Sequence, residues 1–179
     1  MKQGGITIGA LPDYLENNLK IIFIGYNPGE RSASVRHHYA GYGNQFWKLL
    51  FESGLTSKLY KADEDSLLLK EGYGLTNIIE RSSKSSSDLS SKEMKSGAKV
   101  LREKIIKFKP IVACFLGKEI YRQYAGLKSG IEIPYGLIEK SNVSPFTRDY
   151  VAYNPSGRSF VPYQEKLMVF QDLKKLFLQ

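Results

Sequence analysis

An asparagine that could act on a bound ligand follows a short apolar run near the start of the chain. Ile21-Ile22-Phe23-Ile24 leads directly into Gly25-Tyr26-Asn27-Pro28-Gly29. Four large apolar residues bounded by Gly and Pro are typical of a strand buried on both faces of a parallel sheet. Because ligands of open α/β sheets bind beyond the carboxyl ends of the strands, the Asn27 amide would face such a ligand. The alternative is a tight turn in which these residues serve only backbone geometry.

Two more asparagines stand at predicted strand ends. Asn77 lies in a β-rich stretch over 73–79, and Asn154 opens the turn Asn154-Pro155-Ser156-Gly157-Arg158-Ser159-Phe160 after a predicted last strand over 148–153. The carboxyl ends of parallel strands meet at one edge of a sheet. We therefore expect the three asparagines to converge on one crevice, which favours a site over a plain turn.

Two loops beside these strand ends carry further polar residues. The stretch 30–43 has no usable period and predicts a long loop, and long loops in compact domains are often functional. The low-complexity stretch 82–87 is either a flexible surface connection or a set of hydroxyls that contact phosphates together with Lys84. Adjacent His37 and His38 make a poor metal pair, because neighbouring side chains face apart and no carboxylate or thiol has matching spacing. No metal is therefore expected.

Helices predicted between the strands give the chain an alternating order. The best-defined helix begins at a capping box formed by Ser90 and Glu93 and continues at helical spacing to Phe108. The other predicted elements are a short helix over 12–18, a helix that Asn44 caps and Gly54 ends, a helix over 63–71, a strand over 111–116, a short helix that Gly117 opens, a weaker strand within 133–139, and a final helix after Pro162 with Leu167, Phe170, Leu173 and Phe177 on its apolar face. This order predicts one three-layer α/β/α domain over 1–179 with a mainly parallel central sheet, in which about 1–10 form a poorly ordered arm.

The amino-acid composition indicates which class of molecule the protein binds. The 179 residues correspond to one domain, with 26 Lys and Arg against 18 Asp and Glu and a formal charge of +8. Twelve Tyr and nine Phe add stacking surfaces, so charge and aromatic content together suggest nucleic acid. The single Cys114 cannot form an internal disulfide or hold an iron–sulfur cluster, and its apolar neighbours predict an inert buried thiol. The sequence has no signal pattern and no apolar run of membrane-spanning length, which predicts a soluble intracellular protein without a membrane partner.

Three groups of residues carry a resemblance to a known family. They are Gly25-Tyr26-Asn27-Pro28-Gly29 followed by His37-His38-Tyr39-Ala40-Gly41-Tyr42-Gly43-Asn44-Gln45-Phe46-Trp47-Lys48, then Thr76-Asn77-Ile78-Ile79-Glu80-Arg81 with Asp88-Leu89-Ser90-Ser91-Lys92-Glu93, and finally Asn154-Pro155-Ser156-Gly157. They resemble the first motif, the middle segment and the second motif of the mismatch-specific uracil/thymine-DNA glycosylases within the uracil-DNA glycosylase superfamily. The similarity extends over roughly 20–177, with helices and strands in matching order.

The resemblance implies a DNA repair enzyme with no cofactor. Such an enzyme flips uracil, or a thymine or other damaged pyrimidine, mispaired with guanine out of double-stranded DNA and hydrolyses its N-glycosidic bond, which leaves an abasic site. By its match, Tyr39 would stack on the flipped base, the alternative being a packing role in the core. Asn77 would read the imide edge with a donor and an acceptor, the alternative being that it caps its own turn. Ser32 and His38 match positions near the pyrimidine 5-position and would tune thymine against uracil.

Asn27 is the catalytic residue that the resemblance implies. A carboxamide cannot take a proton at neutral pH, but it can hold a water in line with C1′ while backbone N–H groups near Tyr26 and Gly29 stabilise the departing pyrimidine anion. Superfamily members that are faster on uracil carry a carboxylate near this point and a His in the second motif, where this chain has Asn154. We therefore expect slow turnover, on the order of a hundredfold or more below such members. Neither Asn-Pro motif contains a Lys, so no lyase step is expected.

The second motif supplies the implied DNA contacts. Ser156 and the Gly157 backbone would contact phosphates beside the flipped nucleotide, and Arg158 or Phe160 would enter the space that the base leaves. The position of Arg158 is often an apolar wedge in bacterial members. An Arg there could donate to the orphaned guanine, or it could pair with phosphate.

Two other classes of protein compete with the glycosylase interpretation. The first is a non-catalytic module that binds damaged DNA with the same fold, which Asn27, Tyr39 and Asn77 together disfavour. The second is a nucleotide-binding α/β protein, which would need a phosphate-binding Gly loop that the sequence lacks. For the glycosylase we expect a monomer whose partner is double-stranded DNA with G:U or G:T mismatches. It would be cytoplasmic and associated with the nucleoid in a prokaryote, or nuclear in a eukaryote.

Overall fold

A five-stranded sheet forms the centre of the computed structural model, which describes residues 10–84, 88–139 and 143–178. The strands are β1 (Ile21–Gly25), β2 (Tyr73–Asn77), β3 (Val112–Phe115), β4 (Gly136–Ile138) and β5 (Arg148–Val151). Their order across the sheet is β2-β1-β3-β5-β4, and only the edge strand β4 runs antiparallel to its neighbour. The mainly parallel sheet is therefore confirmed. The predicted arm falls outside the described residues apart from Ala10, as do 85–87 of the serine-rich stretch.

Helices cover both faces of this sheet. They are α1 (Glu30–Val35), α2 (Phe46–Glu52), a 3₁₀ helix (Ala62–Leu67), α3 (Leu68–Glu71), α4 (Ser91–Phe108), α5 (Lys118–Ala125) and α6 (Tyr163–Lys175). The interior strand β1 is fully buried, and its side chains alternate between two hydrophobic cores. Phe23 packs with Phe46 of α2 and Phe170 of α6, whereas Ile24 packs on the face covered by α4 and α5. An apolar run without polar alternation is what a strand between two helical layers requires.

The capping box predicted for α4 is present in full. The Ser90 Oγ accepts from the backbone N–H of Glu93 at 3.2 Å, and the Glu93 carboxylate accepts from the backbone N–H of Ser90 at 2.9 Å. The first turn of α4 is thus fixed directly after the loop that leaves β2. Gly97 in the next turn allows the helix to approach that loop, because a Cβ there would overlap the carbonyl oxygen of Ile78.

Two predictions about the first half of the chain are wrong. Residues 12–18 form no helix: Tyr14 instead pairs antiparallel with Leu75, with N–H···O distances of 2.9 and 3.0 Å, and so covers the open edge of β2. The supposed loop over 30–43 begins with α1, which has no apolar period and ends at Arg36 in a left-handed conformation (φ 61°). A backbone pairing with a distant strand leaves no periodic signal in the sequence, and neither does a helix of six residues.

The remaining elements differ from prediction only in detail. The helix after Asn44 has Gln45 at its cap position, although the Asn44 Oδ1 does accept from the Phe46 N–H at 3.0 Å. The first part of the helix predicted over 63–71 is 3₁₀. Cys114 is fully buried, and burial raises the pKa of its thiol, as expected for an inert side chain.

Replacing Gly97 with Ala should destabilise the protein although Ala is the better helix former. The added methyl group must displace the Ile78 carbonyl, and overpacking of this kind outweighs a helix-propensity gain of about 1 kcal/mol. We expect the free energy of unfolding, measured by urea denaturation, to fall by about 1–2 kcal/mol. The matched control is Ser96→Ala on the exposed side of the same turn, which should be neutral or stabilising. A Gly97→Ala variant as stable as that control would show that the approach of α4 is not constrained here.

Candidate active site

A cleft of about 850 Å³ lies beyond the carboxyl ends of the parallel strands. The expected convergence occurs, because all three strand-end asparagines line it. Phe160 does not line the cleft, and its side chain is fully exposed. Every other residue predicted for the site does line it: Tyr26, Asn27, Gly29, Ser32, His38, Tyr39, Asn77, Lys84, Asn154, Ser156, Gly157 and Arg158.

Three oxygen atoms hold the amide of Asn27 in one orientation. Its Nδ2 donates to the Ser83 Oγ at 2.8 Å, to the carbonyl oxygen of Arg81 at 3.2 Å and to that of Pro28 at 3.4 Å. Carbonyl oxygens can only accept hydrogen bonds. An amide turned the other way would place the Asn27 Oδ1 against the carbonyl oxygens of Arg81 and Pro28, which is unfavourable. The Oδ1 has no hydrogen-bond partner among the described residues, so it is available as an acceptor in the half-buried wall of the cleft.

An ion pair anchors the loop that holds Asn27. The Arg81 guanidinium donates to both carboxylate oxygens of Glu93, with a Nη2···Oε2 distance of 3.2 Å, and also to the carbonyl oxygen of Asp88. The Arg81 hydrogen bonds, followed by those from Ser90, lower the pKa of Glu93 to about 2. One carboxylate therefore connects the start of α4 to the support of the Asn27 amide.

Asn77 and Tyr39 meet over Gly25 at the base of the cleft. A Cβ on Gly25 would overlap the Asn77 Oδ1 and would lie 3.1 Å from the Tyr39 hydroxyl, so a larger residue there would displace the Asn77 amide. Tyr39 has a left-handed backbone (φ 53°), and its ring stacks on Phe46 with centroids 3.9 Å apart. Its buried hydroxyl has no hydrogen-bond partner among the described residues, and burial raises its pKa. Tyr39 thus belongs to the core and to the cleft wall at once.

His38 is held as a neutral imidazole. Its Nε2 lies 2.8 Å from the carbonyl oxygen of Pro12, which can only accept, so Nε2 carries the proton. Burial lowers the pKa of His38 below 6.5. Its backbone N–H donates to the buried carboxylate of Asp65 at 2.8 Å, and the other Asp65 oxygen lies 3.2 Å from the Nδ1 of His37. Nothing in the acidic run 63–65 distinguishes Asp65, so its role was missed from the sequence.

The turn of the second motif is ordered by its own side chains. The Asn154 Oδ1 accepts from the Ser156 N–H at 2.9 Å, and the Ser156 Oγ accepts from the Arg158 N–H at 3.2 Å. The Ser32 Oγ plays a similar part in the first motif by accepting from the Ala40 N–H at 3.0 Å. These side chains shape the backbone at the rim of the cleft, and Arg158 is exposed there.

An aromatic wall completes the cleft and was not predicted. The rings of Tyr135 and Tyr153 lie 3.7 Å apart between centroids, and the Lys118 Nζ lies 4.2 Å from the Tyr135 centroid. Tyr153 could have been found, since it directly precedes the second Asn-Pro turn. No group of metal-ligating side chains occurs in the described part of the chain. No helix found in that part is long and apolar enough to cross a membrane.

Comparison with known proteins identifies the family. A model of the "Uracil DNA glycosylase superfamily" matches residues 12–175. The chain belongs to this superfamily. It is also 33% identical over 177 residues to a "G/U mismatch-specific uracil DNA glycosylase" of Schizosaccharomyces pombe. That match covers 95% of this chain and 53% of the relative, so the chain spans about half the length of that protein.

The superfamily fold is also seen in a solved structure. The chain resembles the solution NMR structure of a candidate uracil DNA glycosylase from Methanosarcina acetivorans with a TM-score of 0.53. The similarity covers 93% of this chain and 98% of the other at 20% sequence identity. The two chains therefore share their fold.

The ion pair under Asn27 should make the stability of this superfamily member depend on pH. Because the folded-state pKa of Glu93 is lowered from 4.5 to about 2, its stabilising effect is present above about pH 4.5 and is lost as the pH falls toward 2. In thermal unfolding across pH 2–7, Glu93→Gln should be less stable than the wild type near neutral pH and should converge with it at the acid end. Glu103→Gln on the exposed part of α4 is the control. A constant difference between Glu93→Gln and wild type at every pH would contradict the assignment.

Proposed function

We propose that the chain is a monofunctional DNA glycosylase that removes uracil mispaired with guanine from double-stranded DNA. The observation that carries this proposal is the Asn27 amide, whose nitrogen is committed to three oxygens while its oxygen remains an acceptor in the cleft. Superfamily membership and the activity for which the fission yeast relative is named support the same reaction.

The base would be read by the two residues that meet over Gly25. Asn77 offers a donor and an acceptor to the imide edge of uracil, and Tyr39 offers an aromatic surface beside it. Because Tyr39 is backed by Phe46 at 3.9 Å, the platform is rigid before DNA arrives. His38, neutral and fixed through Nε2, would present Nδ1 only as an acceptor and would tune which pyrimidines fit, together with Ser32.

Hydrolysis would proceed with little help from proton transfer. The Asn27 Oδ1 accepts a hydrogen bond from the attacking water and holds its oxygen in line with C1′ while the glycosidic bond breaks. When the water oxygen bonds to C1′, its proton passes to bulk water, and the released pyrimidine anion takes up a proton from solvent. Backbone N–H groups near Tyr26 and Gly29 stabilise the departing anion. The Nε2 proton of His38 is engaged by Pro12, so this group supplies no acid to the base. The result is slow, selective turnover without a metal, an organic cofactor or a lyase step.

The DNA strand would follow the rim of the cleft. Lys84, Asn154, Ser156 and Gly157 line the cleft and would contact phosphates, which the net charge of +8 supports. Arg158 lines the cleft as well, which supports Arg158 over Phe160 as the residue that would enter the gap left by the base. Phe160, fully exposed outside the cleft, would contact the neighbouring base pair. We infer that the protein acts as a monomer, at the nucleoid in the cytoplasm of a prokaryote or in the nucleus of a eukaryote.

The activity itself is tested with matched DNA duplexes. The protein, in excess, is incubated with duplexes carrying uracil, thymine, hypoxanthine or ethenocytosine opposite guanine or adenine, and abasic sites are cleaved with alkali. We expect cleavage at uracil opposite guanine. Tight binding to that duplex without cleavage would instead support a non-catalytic damage-binding module. If the protein neither binds nor cleaves this duplex, both interpretations are wrong.

Asn27→Ala should abolish base release because it removes the acceptor that holds the water. Single-turnover rates should fall by about a hundredfold or more, whereas affinity for the mismatched duplex should change little. Ser83→Ala is a milder variant for comparison. It removes one of the three acceptors of the Asn27 Nδ2 and should lower the single-turnover rate by a smaller factor than Asn27→Ala. If Asn27→Ala cleaves at the wild-type rate, the water is held elsewhere.

A further inference from the structure

Lys166 is a fully buried cation at the point where the two motif loops meet. From α6 its Nζ donates to the Gln45 Oε1 at 2.8 Å and to the Ser156 carbonyl oxygen at 3.2 Å. An ammonium has three hydrogens to donate, and these two neutral acceptors take two of them. No carboxylate of the described residues forms an ion pair with it.

The loops joined by Lys166 are in close contact through their backbones as well. The Gln45 N–H donates to the Pro155 carbonyl oxygen at 2.8 Å. A Cβ on Gly157 would overlap the carbonyl oxygen of Gly43, so the second turn lies directly on the first loop. The Lys166 ammonium therefore connects the two loops through side-chain hydrogen bonds, in addition to their backbone contact, and helps to set the position of Ser156 relative to the first motif.

Keeping this charge buried is costly. An ammonium removed from water without a charged partner is unfavourable, and burial accordingly lowers the pKa of Lys166. A methionine of similar length would avoid this cost but could not donate to Gln45 and Ser156, so the ammonium serves the chain through its hydrogen bonds, its charge or both.

We propose that Lys166 is a positioning residue for DNA, whose uncompensated charge beneath the Ser156 turn fixes that turn and attracts the phosphate that the turn receives. This inference rests on the proposed function, since it requires the cleft to bind DNA. It differs from the role of exposed lysines, because Lys166 acts through the turn and does not itself reach the surface.

Two variants separate the charge of Lys166 from its packing. Lys166→Met keeps most of the volume and removes the charge. Gln45→Glu keeps an acceptor for Nζ but supplies a carboxylate that neutralises it. The control is Lys175→Met, which removes a charge from the exposed side of the same helix. Folding of each variant is verified by circular dichroism and thermal unfolding.

The measurement is the affinity for a fluorescein-labelled undamaged duplex, titrated across salt concentrations by anisotropy. We expect both Lys166→Met and Gln45→Glu to bind about tenfold more weakly at low salt and to reduce the slope of log K against log[salt], by less than the value of about 0.9 for a direct phosphate contact, because Lys166 acts through the turn. Lys175→Met should stay near wild type.

Two results would overturn the inference while leaving the proposed function intact. One is a folded Lys166→Met with wild-type affinity and slope. The other is a Gln45→Glu variant with wild-type slope, because the charge would then be unused, and this result can be obtained even if Lys166→Met does not fold. Failure of the wild-type protein to bind duplex DNA would instead remove the proposed function and this inference with it.

Discussion

The candidate site depends on the hydrogen bonds that the side-chain nitrogen of Asn27 donates to its surroundings. Because the Asn27 Nδ2 is shared among Pro28, Arg81 and Ser83, the amide oxygen has only one direction left to face. Those acceptors belong to the loops that follow β1 and β2, so the orientation of one side chain depends on the pairing of these two strands. The loop is fixed in turn by the Arg81–Glu93 ion pair at the start of α4. A side chain without a titratable group can be precise only if its surroundings hold it in this way.

Much of this arrangement could be predicted from the sequence, because the decisive signals are local. The apolar run before Gly25 is too short for a helix and too apolar for an exposed strand, which placed Asn27 at a strand end. The spacing of Ser90 and Glu93 located the start of α4. Once the sheet was taken as parallel, the convergence of three strand ends followed from topology alone.

What could not be predicted depends on contacts between distant parts of the chain. The pairing of Tyr14 with Leu75 and the bonds from Asp65 to the loop at His38 involve partners that no spacing identifies. Lys166 is an intermediate case. It falls on the same helical stripe as Phe170 and Leu173, so the sequence places a lysine on a buried face, but its acceptors are known only from the fold. The two possible roles of Tyr39 could not be separated because its ring packs against the core and also lines the cleft.

The bond between His38 and Pro12 has a consequence for how the hydrogen-bonding groups of the cleft can change. The proton on His38 is directed by a main-chain carbonyl, and that carbonyl is placed by the strand-like pairing of the segment at Tyr14. Every amino acid has such a carbonyl, so replacing the side chain at position 12 leaves the acceptor in place. A change in the length of this segment would move it. The hydrogen-bonding character of the pocket is thus open to variation by insertion and deletion more than by point substitution.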